Sequence, residues 1–217
     1  MKTFLSIGSG PGMGLATAER FASEGFRVIL SARSAAKTQE LARFLAAKGY
    51  TAEARTVDTA DPASVAALVA DVERAHGHID VLHYNAASMR KATLSDQPRD
   101  TFNGDLAVNI GGAMSAAQSA APAMIERGAG TILFTGGGFG LQPSPDYLSL
   151  SIGKAGIRAL TLGLFDSLRD KGIHVATVTV AAFIDAGSKE AAAVAEHFWQ
   201  LHAQTKGTWS PEVVYAP

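Results

Sequence analysis

Hydrophobic and polar positions along the chain follow two periods. Short apolar runs bounded by glycine or polar clusters, the mark of buried strands, are separated by longer stretches in which apolar residues return every three or four positions, the mark of a helix lying on a sheet. Thr3–Ile7 is the first such run, and Gly12–Ser23 the first helical stretch, with Leu15, Ala18 and Phe21 on one face. The pattern then predicts a strand over Phe26–Leu30, a helix over Ala35–Ala47 stopped by Gly49, and a strand over Thr51–Val57. Asp61 and Pro62 open the next helix as N-cap and first residue; it runs through Val65, Leu68, Val69 and Val72 to His76. A strand follows over Ile79–Tyr84, then a long helical region over Phe102–Arg127 with soft spots at Gly111, Gly112 and Pro122. The remaining expectations are a strand over Thr131–Phe134, a helix over Ser151–Arg169, a strand over Ile173–Val180, a helix over Lys189–Gln204 and an edge strand over Glu212–Tyr215.

Strand and helix alternating from end to end imply a parallel sheet covered by helices on both faces. Right-handed crossovers then favour a doubly wound α/β arrangement of the Rossmann type, three layers deep. With no linker, repeat or low-complexity tract, the 217 residues are expected to form a single domain. A net charge of −1, from 19 basic and 20 acidic residues, gives no basic patch for nucleic acid or an anionic membrane. The absence of cysteine excludes disulfides and thiolate metal sites, and suits a reducing, cytoplasmic setting. Phe4–Ile7 is too short for a signal-peptide core, and no uninterrupted apolar stretch approaches a membrane span. The histidines do not share a spacing that would gather them on one face, so they read as surface or packing residues and no metal site is expected.

Candidate chemistry begins at Gly8-Ser9-Gly10-Pro11-Gly12-Met13-Gly14, between the first strand and the first helix. Backbone N–H groups at a helix N-terminus face an anion, and glycines let a phosphate come close. The spacing is G-x-x-x-G-x-G, at Gly8, Gly12 and Gly14, rather than G-x-G-x-x-G. This loop resembles the cofactor loop of the short-chain dehydrogenase/reductase family, and the resemblance extends over nearly the whole chain. Asp58, after the third strand, matches the family's acidic residue against the adenine. Asn85-Ala86-Ala87 is similar to its N-A-G turn, Asn109 to its helix-borne asparagine, and Lys154 to its lysine. Read singly, Asp58 is equally a loop cap, Asn85 a turn former and Asn109 a buried amide bonded to backbone.

The resemblance implies a nicotinamide dinucleotide held by Gly8, Ser9, Gly12, Met13, Gly14, Asp58, Asn85, Ala86 and Lys154, with Ile184 offering backbone contacts to the nicotinamide amide. NADP(H) is preferred over NAD(H). At the end of the second strand, where an acid would accept the ribose hydroxyls of NAD, stands Ala32, followed by Arg33, which can grip a 2′-phosphate. The family's serine and tyrosine, which hold the substrate oxygen and move its proton, are both missing: Gly137 and Leu150 occupy their positions. Of the catalytic set Asn109 and Lys154 remain, with Tyr147 as a displaced candidate acid or a packing residue. The family's mobile cover after the sixth strand is cut short to Ala181-Ala182-Phe183-Ile184-Asp185-Ala186-Gly187.

Three functions compete. The first is an NADP(H)-dependent oxidoreductase acting on an unknown carbonyl or alcohol through a degraded or rearranged acid/base site, and standard serine–tyrosine–lysine turnover is expected to be absent or very weak. The second is a non-catalytic NADP(H)-binding sensor or inactive partner subunit. The third is a lyase or isomerase using the same cleft. A homodimer or homotetramer built on the two long helices is implied by the resemblance.

Overall fold

The computed structural model describes every residue from Met1 to Pro217. Seven strands form one fully parallel sheet: β1 (Thr3–Ile7), β2 (Arg27–Ala32), β3 (Ala52–Thr56), β4 (Val81–Tyr84), β5 (Gly130–Thr135), β6 (Ile173–Val180) and β7 (Glu212–Tyr215). Their order is β3-β2-β1-β4-β5-β6-β7. The chain winds outward from β1 in one direction, then returns to start the other half at β4. That reversal leaves a crevice at the carboxyl ends of β1 and β4.

Side chains alternate between the faces as the strand period requires. Leu5, Ile7, Ile29, Leu82, Ile132 and Phe134 join one core, under α3 (Pro62–His76), α5 (Gly112–Arg127) and α6 (Leu148–Arg169). Phe4, Val28, Leu30, Val81 and Leu133 join the other, under α1 (Met13–Ser23), α2 (Ala35–Ala47) and α7 (Lys189–Ala203). Local chemistry sets the ends of these helices. Ser34 and Ser188 cap α2 and α7 by accepting from Lys37 N and Ala191 N, and Asp61 caps α3 through Ala63 N with Pro62 behind it. Helix α6 is long and apolar enough to be compared with a membrane span, but Leu150, Ile157, Phe165 and Leu168 are buried in the protein.

Two expectations need correction. Helix α6 begins at Leu148 instead of Ser151, with Tyr147 as its N-cap, because Ser151 N already closes a helical turn on Tyr147 O at 2.8 Å. The region from Phe102 to Arg127 is not one α-helix. It consists of α4 (Phe102–Leu106), a π-helical turn (Ala107–Gly111) and α5. In that turn Gly112 N donates to Ala107 O, five residues back, which leaves the carbonyl of Val108 free. The hydroxyl of buried Tyr84 donates to it at 2.6 Å. A side chain at Gly112 would collide with Tyr84 and with Thr59 O, so this position holds glycine for lack of room. Pro122 is tolerated inside α5.

Buried imidazoles make the fold sensitive to acid. Burial lowers His83 to about 3 and His202 to about 4, and lowers His174 as well, against 6.5 for the free side chain. Below pH 6.5 the unfolded chain therefore binds protons that the folded one refuses, and stability falls as pH drops from 6.5 toward these values. Each group contributes at most about 1.4 kcal/mol per pH unit in that window. Guanidinium unfolding at about pH 7 and pH 5 should show a clear loss at the lower pH, and His202→Asn should shrink the difference between them.

Candidate active site

The crevice at the carboxyl ends of β1 and β4 is a cleft of about 770 Å3. At its inner end the glycine loop passes so close to the loop after β4 that a side chain on Gly8 would collide with the backbone of Ala86. Gly8 also has φ +87°, a conformation open only to glycine without strain. The two loops are tied by Asn85, whose Nδ2 donates to Gly8 O at 2.9 Å. The N–H groups of Met13 and Gly14 have no backbone acceptor at the start of α1 and face the cleft these residues line. Ser9 turns its hydroxyl inward, donating to Ser6 O and accepting from Ser31 N, so that it offers the cleft only backbone.

A polar chain runs beneath the floor. Thr135 donates its hydroxyl to Asn85 Oδ1 at 2.9 Å, so its oxygen must accept from His83 Nε2 at 3.1 Å. That fixes the proton of neutral His83 on Nε2 and leaves Nδ1 to accept from Ser6 at 3.4 Å. The chain thus orients the Asn85 amide toward Gly8. His83, read as a packing residue from the sequence, is the far anchor of that tie.

Lys154 rises from α6 into the same cleft. Its ammonium donates to Thr135 O at 2.7 Å, and burial lowers its pKa to about 8. Gly137 stands beside it with an extended backbone (φ −167°, ψ 149°) that any residue could adopt. The space where its Cβ would lie is taken by the lysine stem, with Cγ, Cδ and Cε at 3.1, 3.3 and 3.4 Å. Leu150, one turn before Lys154, lines the cleft and is buried.

Of the residues singled out from the sequence, Gly8, Ser9, Gly12, Met13, Gly14, Arg33, Asn85, Ala86, Lys154 and Ile184 line this cleft together; Asp58, Asn109 and Tyr147 do not. Asp58 is exposed, and its Oδ1 accepts from Ala60 N in the turn before α3, while Val57 and Thr59 on either side face the cleft. Asn109 is buried on the π-helical turn. Its Oδ1 accepts from Ser88 N at 2.6 Å and its Nδ2 donates to Ser88 O at 3.2 Å, so it holds the segment after β4 against α5 and α6. Tyr147 stacks on Phe139 (centroids 5.3 Å apart, 19° between planes), and both meet Phe183. These rings form an aromatic lip at the outer end, with Phe183 64% exposed.

Sequence reasoning missed Asp105. This buried carboxylate accepts from Ser88 Oγ at 2.6 Å, Ser149 Oγ at 3.0 Å and Arg90 Nε at 2.7 Å, and these bonds hold its pKa near 2 against the cost of burial. It joins the segment after β4 to the first turn of α6, in front of Leu150. Asp105 lies four residues before Asn109, and this helical spacing was the available signal.

Comparison with known proteins agrees with this geometry. The family model described as short chain dehydrogenase matches residues 2–193, and the chain belongs to that family. An uncharacterized oxidoreductase of Thermotoga maritima is 30% identical over 178 residues, covering 82% of this chain and 70% of its own length. The uncharacterized oxidoreductase YxbG of Bacillus subtilis is 31% identical over 179 residues, covering 82% of this chain and 65% of its own. Among solved structures, a metagenomic short-chain oxidoreductase in complex with NADP superimposes with a TM-score of 0.92 at 27% identity, over 100% of this chain and 97% of that one.

The Asp105 cluster should be a stability determinant separable from dinucleotide binding. Asp105→Asn removes a charged acceptor from the hydroxyls of Ser88 and Ser149 and should cost about 2 kcal/mol. Urea denaturation measures that loss, and calorimetric titration with NADPH should show an affinity within about threefold of the parent, because the residue lies outside the cleft.

Proposed function

We propose that the protein is an NADP(H)-dependent oxidoreductase acting on a small, apolar carbonyl or alcohol through a rearranged proton-transfer site. The observation that carries the cofactor preference is Arg33. It lines the cleft next to Ala32, is exposed, and makes no ion pair with any side chain of the protein. A free guanidinium at this place favours a 2′-phosphate, and no acid stands there to favour the bare ribose. The NADP carried by the metagenomic relative supports the same reading. The pyrophosphate would lie on the glycine loop and the start of α1, the nicotinamide ribose near Lys154 and the amide near Ile184. When bound, the dinucleotide supplies or accepts the hydride.

The wall around the outer end consists of Met89, Phe139, Leu141, Leu150 and Phe183, with Gln142 as a polar exception. It supports a neutral, apolar substrate. Leu150 and Gly137 also favour a second reading, a dinucleotide-binding protein without turnover. Hydride exchange between isotopically labelled NADPH and an aromatic aldehyde separates the two, since the non-catalytic protein exchanges none.

We further propose a homodimer or homotetramer built on α5 and α6, which carry the exposed apolar residues Met114, Ile125, Ile152 and Leu162. Light scattering at micromolar concentration should give at least twice the 22.5 kDa of one chain; a monomer rules the interface out.

NADPH should bind about tenfold to a hundredfold more tightly than NADH, the worth of one charge-assisted hydrogen bond. Calorimetric titration measures it. Arg33→Ala should remove most of that difference by weakening NADPH alone, and equal affinities in the parent would overturn the assignment.

A further inference from the structure

Reduction of a carbonyl needs a proton for the oxygen as well as a hydride for the carbon. In this cleft neither Leu150 nor Gly137 can supply one. The ionisable side chains lining it are Arg33 and Lys154. Arg33 belongs to the ribose end, and a guanidinium does not release its proton at working pH. The other titratable groups nearby are committed elsewhere. His83, under the floor on β4, is neutral and has both nitrogens engaged with Ser6 and Thr135. Tyr84, beside it, gives its proton to Val108 O. Asp105 on α4 is closed in by Arg90, Ser88 and Ser149. Arg158, the next turn of α6, is paired with Glu212 of β7. Tyr147 lies outside the cleft, packed on Phe139.

Lys154 is placed differently. Its stem leans across Gly137 into the room that a side chain there would fill. One of its three N–H bonds goes to Thr135 O, leaving two for other acceptors. We propose that Lys154 is the proton donor of this site, replacing the missing tyrosine and serine in the reduction of a neutral apolar carbonyl compound. The inference rests on the NADP(H) reading above. In the step, the carbonyl carbon receives a hydride from the reduced dinucleotide while the carbonyl oxygen takes a proton from the Lys154 ammonium. The π bond breaks, a C–H and an O–H bond form, the dinucleotide is oxidised, and the neutral amine regains its proton from water. A lysine serves this purpose only if it gives up its proton near neutral pH. Burial in the apolar cleft provides that by lowering Lys154 to about 8, with no carboxylate beside it to hold the charge. Glycine at 137 favours the arrangement, since a Cβ there would press on the stem at 3.1–3.4 Å and make it give by a few tenths of an ångström.

The test combines a rate with a titration that needs no turnover. In the protein labelled with [ε-13C]lysine, the Lys154 resonance, assigned by its loss in Lys154→Arg, should titrate near pH 8; a value of about 10 or above overturns the proposal. With NADPH and a neutral aromatic 1,2-diketone, kcat/KM should be level below pH 8 and fall tenfold per pH unit above it, since the donor must be protonated. Lys154→Arg keeps the charge but cannot give the proton. Compared with the parent at saturating NADPH, its reduction should fall by about a hundredfold or more. Lys154→Met should lose reduction equally. An arginine variant that reduces the diketone at the parent's rate overturns the proposal, and so does a parent that binds NADPH and reduces no such substrate. That last result would leave the dinucleotide assignment standing, whereas a parent that fails to bind NADPH removes the assignment itself.

Discussion

Everything at the carboxyl edge depends on the close approach of two loops where the sheet reverses its winding. The glycine loop and the loop after β4 can touch because Gly8 lacks a side chain, and Asn85 bonds them together once they do. The tie continues through Thr135 to His83, so β4 and β5 share in orienting one amide. If the loops moved apart, the start of α1 would no longer face Asn85 and Ala86, and the cleft would lose its inner wall. A buried polar chain costs desolvation unless every member is satisfied. Here each donor finds an acceptor, and direction is fixed from one end to the other.

The architecture was legible in the sequence because its elements repeat one physical pattern. Strands such as Thr3–Ile7 are buried on both faces, so they read as apolar runs, and the cap at Asp61 stands immediately before the helix it starts. The glycine loop, Arg33 and Asn85 were legible for another reason: each follows the end of a strand at the carboxyl edge, where sequence order and spatial position coincide, whereas Lys154, inside α6, was legible only through the resemblance. Asp105 and His83 were not. Their partners lie at distances along the chain that no local period relates, so Ser149 and Thr135 carry no mark of their roles. The π-helical turn was hidden as well. The carbonyl it frees is taken by Tyr84, on a strand well upstream, and the glycine pair Gly111-Gly112 reads only as weakness until the ring beside Gly112 is seen.

Neither Gly137 nor Leu150 brings a hydroxyl to the cleft, and their surroundings are filled in other ways. The Lys154 stem takes the space beside Gly137, and Leu150 extends the apolar wall. Behind them Asn109 grips Ser88, and Asp105 binds Ser149 in the turn that carries Leu150. These bonds tie the segment after β4 to the first turn of α6, and a well-held surrounding is what makes a side chain's position usable for chemistry.

The short link between β6 and α7 has a kinetic consequence. From Ala181 to Ser188 there is no helix to fold down over the outer end, and Phe183 stands open to solvent. In relatives with a hinged cover, opening and closing can limit how often the enzyme cycles. An outer end without such a cover has no such clock. Under the proposed function, exchange at this end would be governed by diffusion past an aromatic lip, and the slow event of each cycle would move inward to bond-making or to departure of the dinucleotide. The same openness leaves water beside the reacting atoms, which weakens the local field. The protein has exchanged shelter for access.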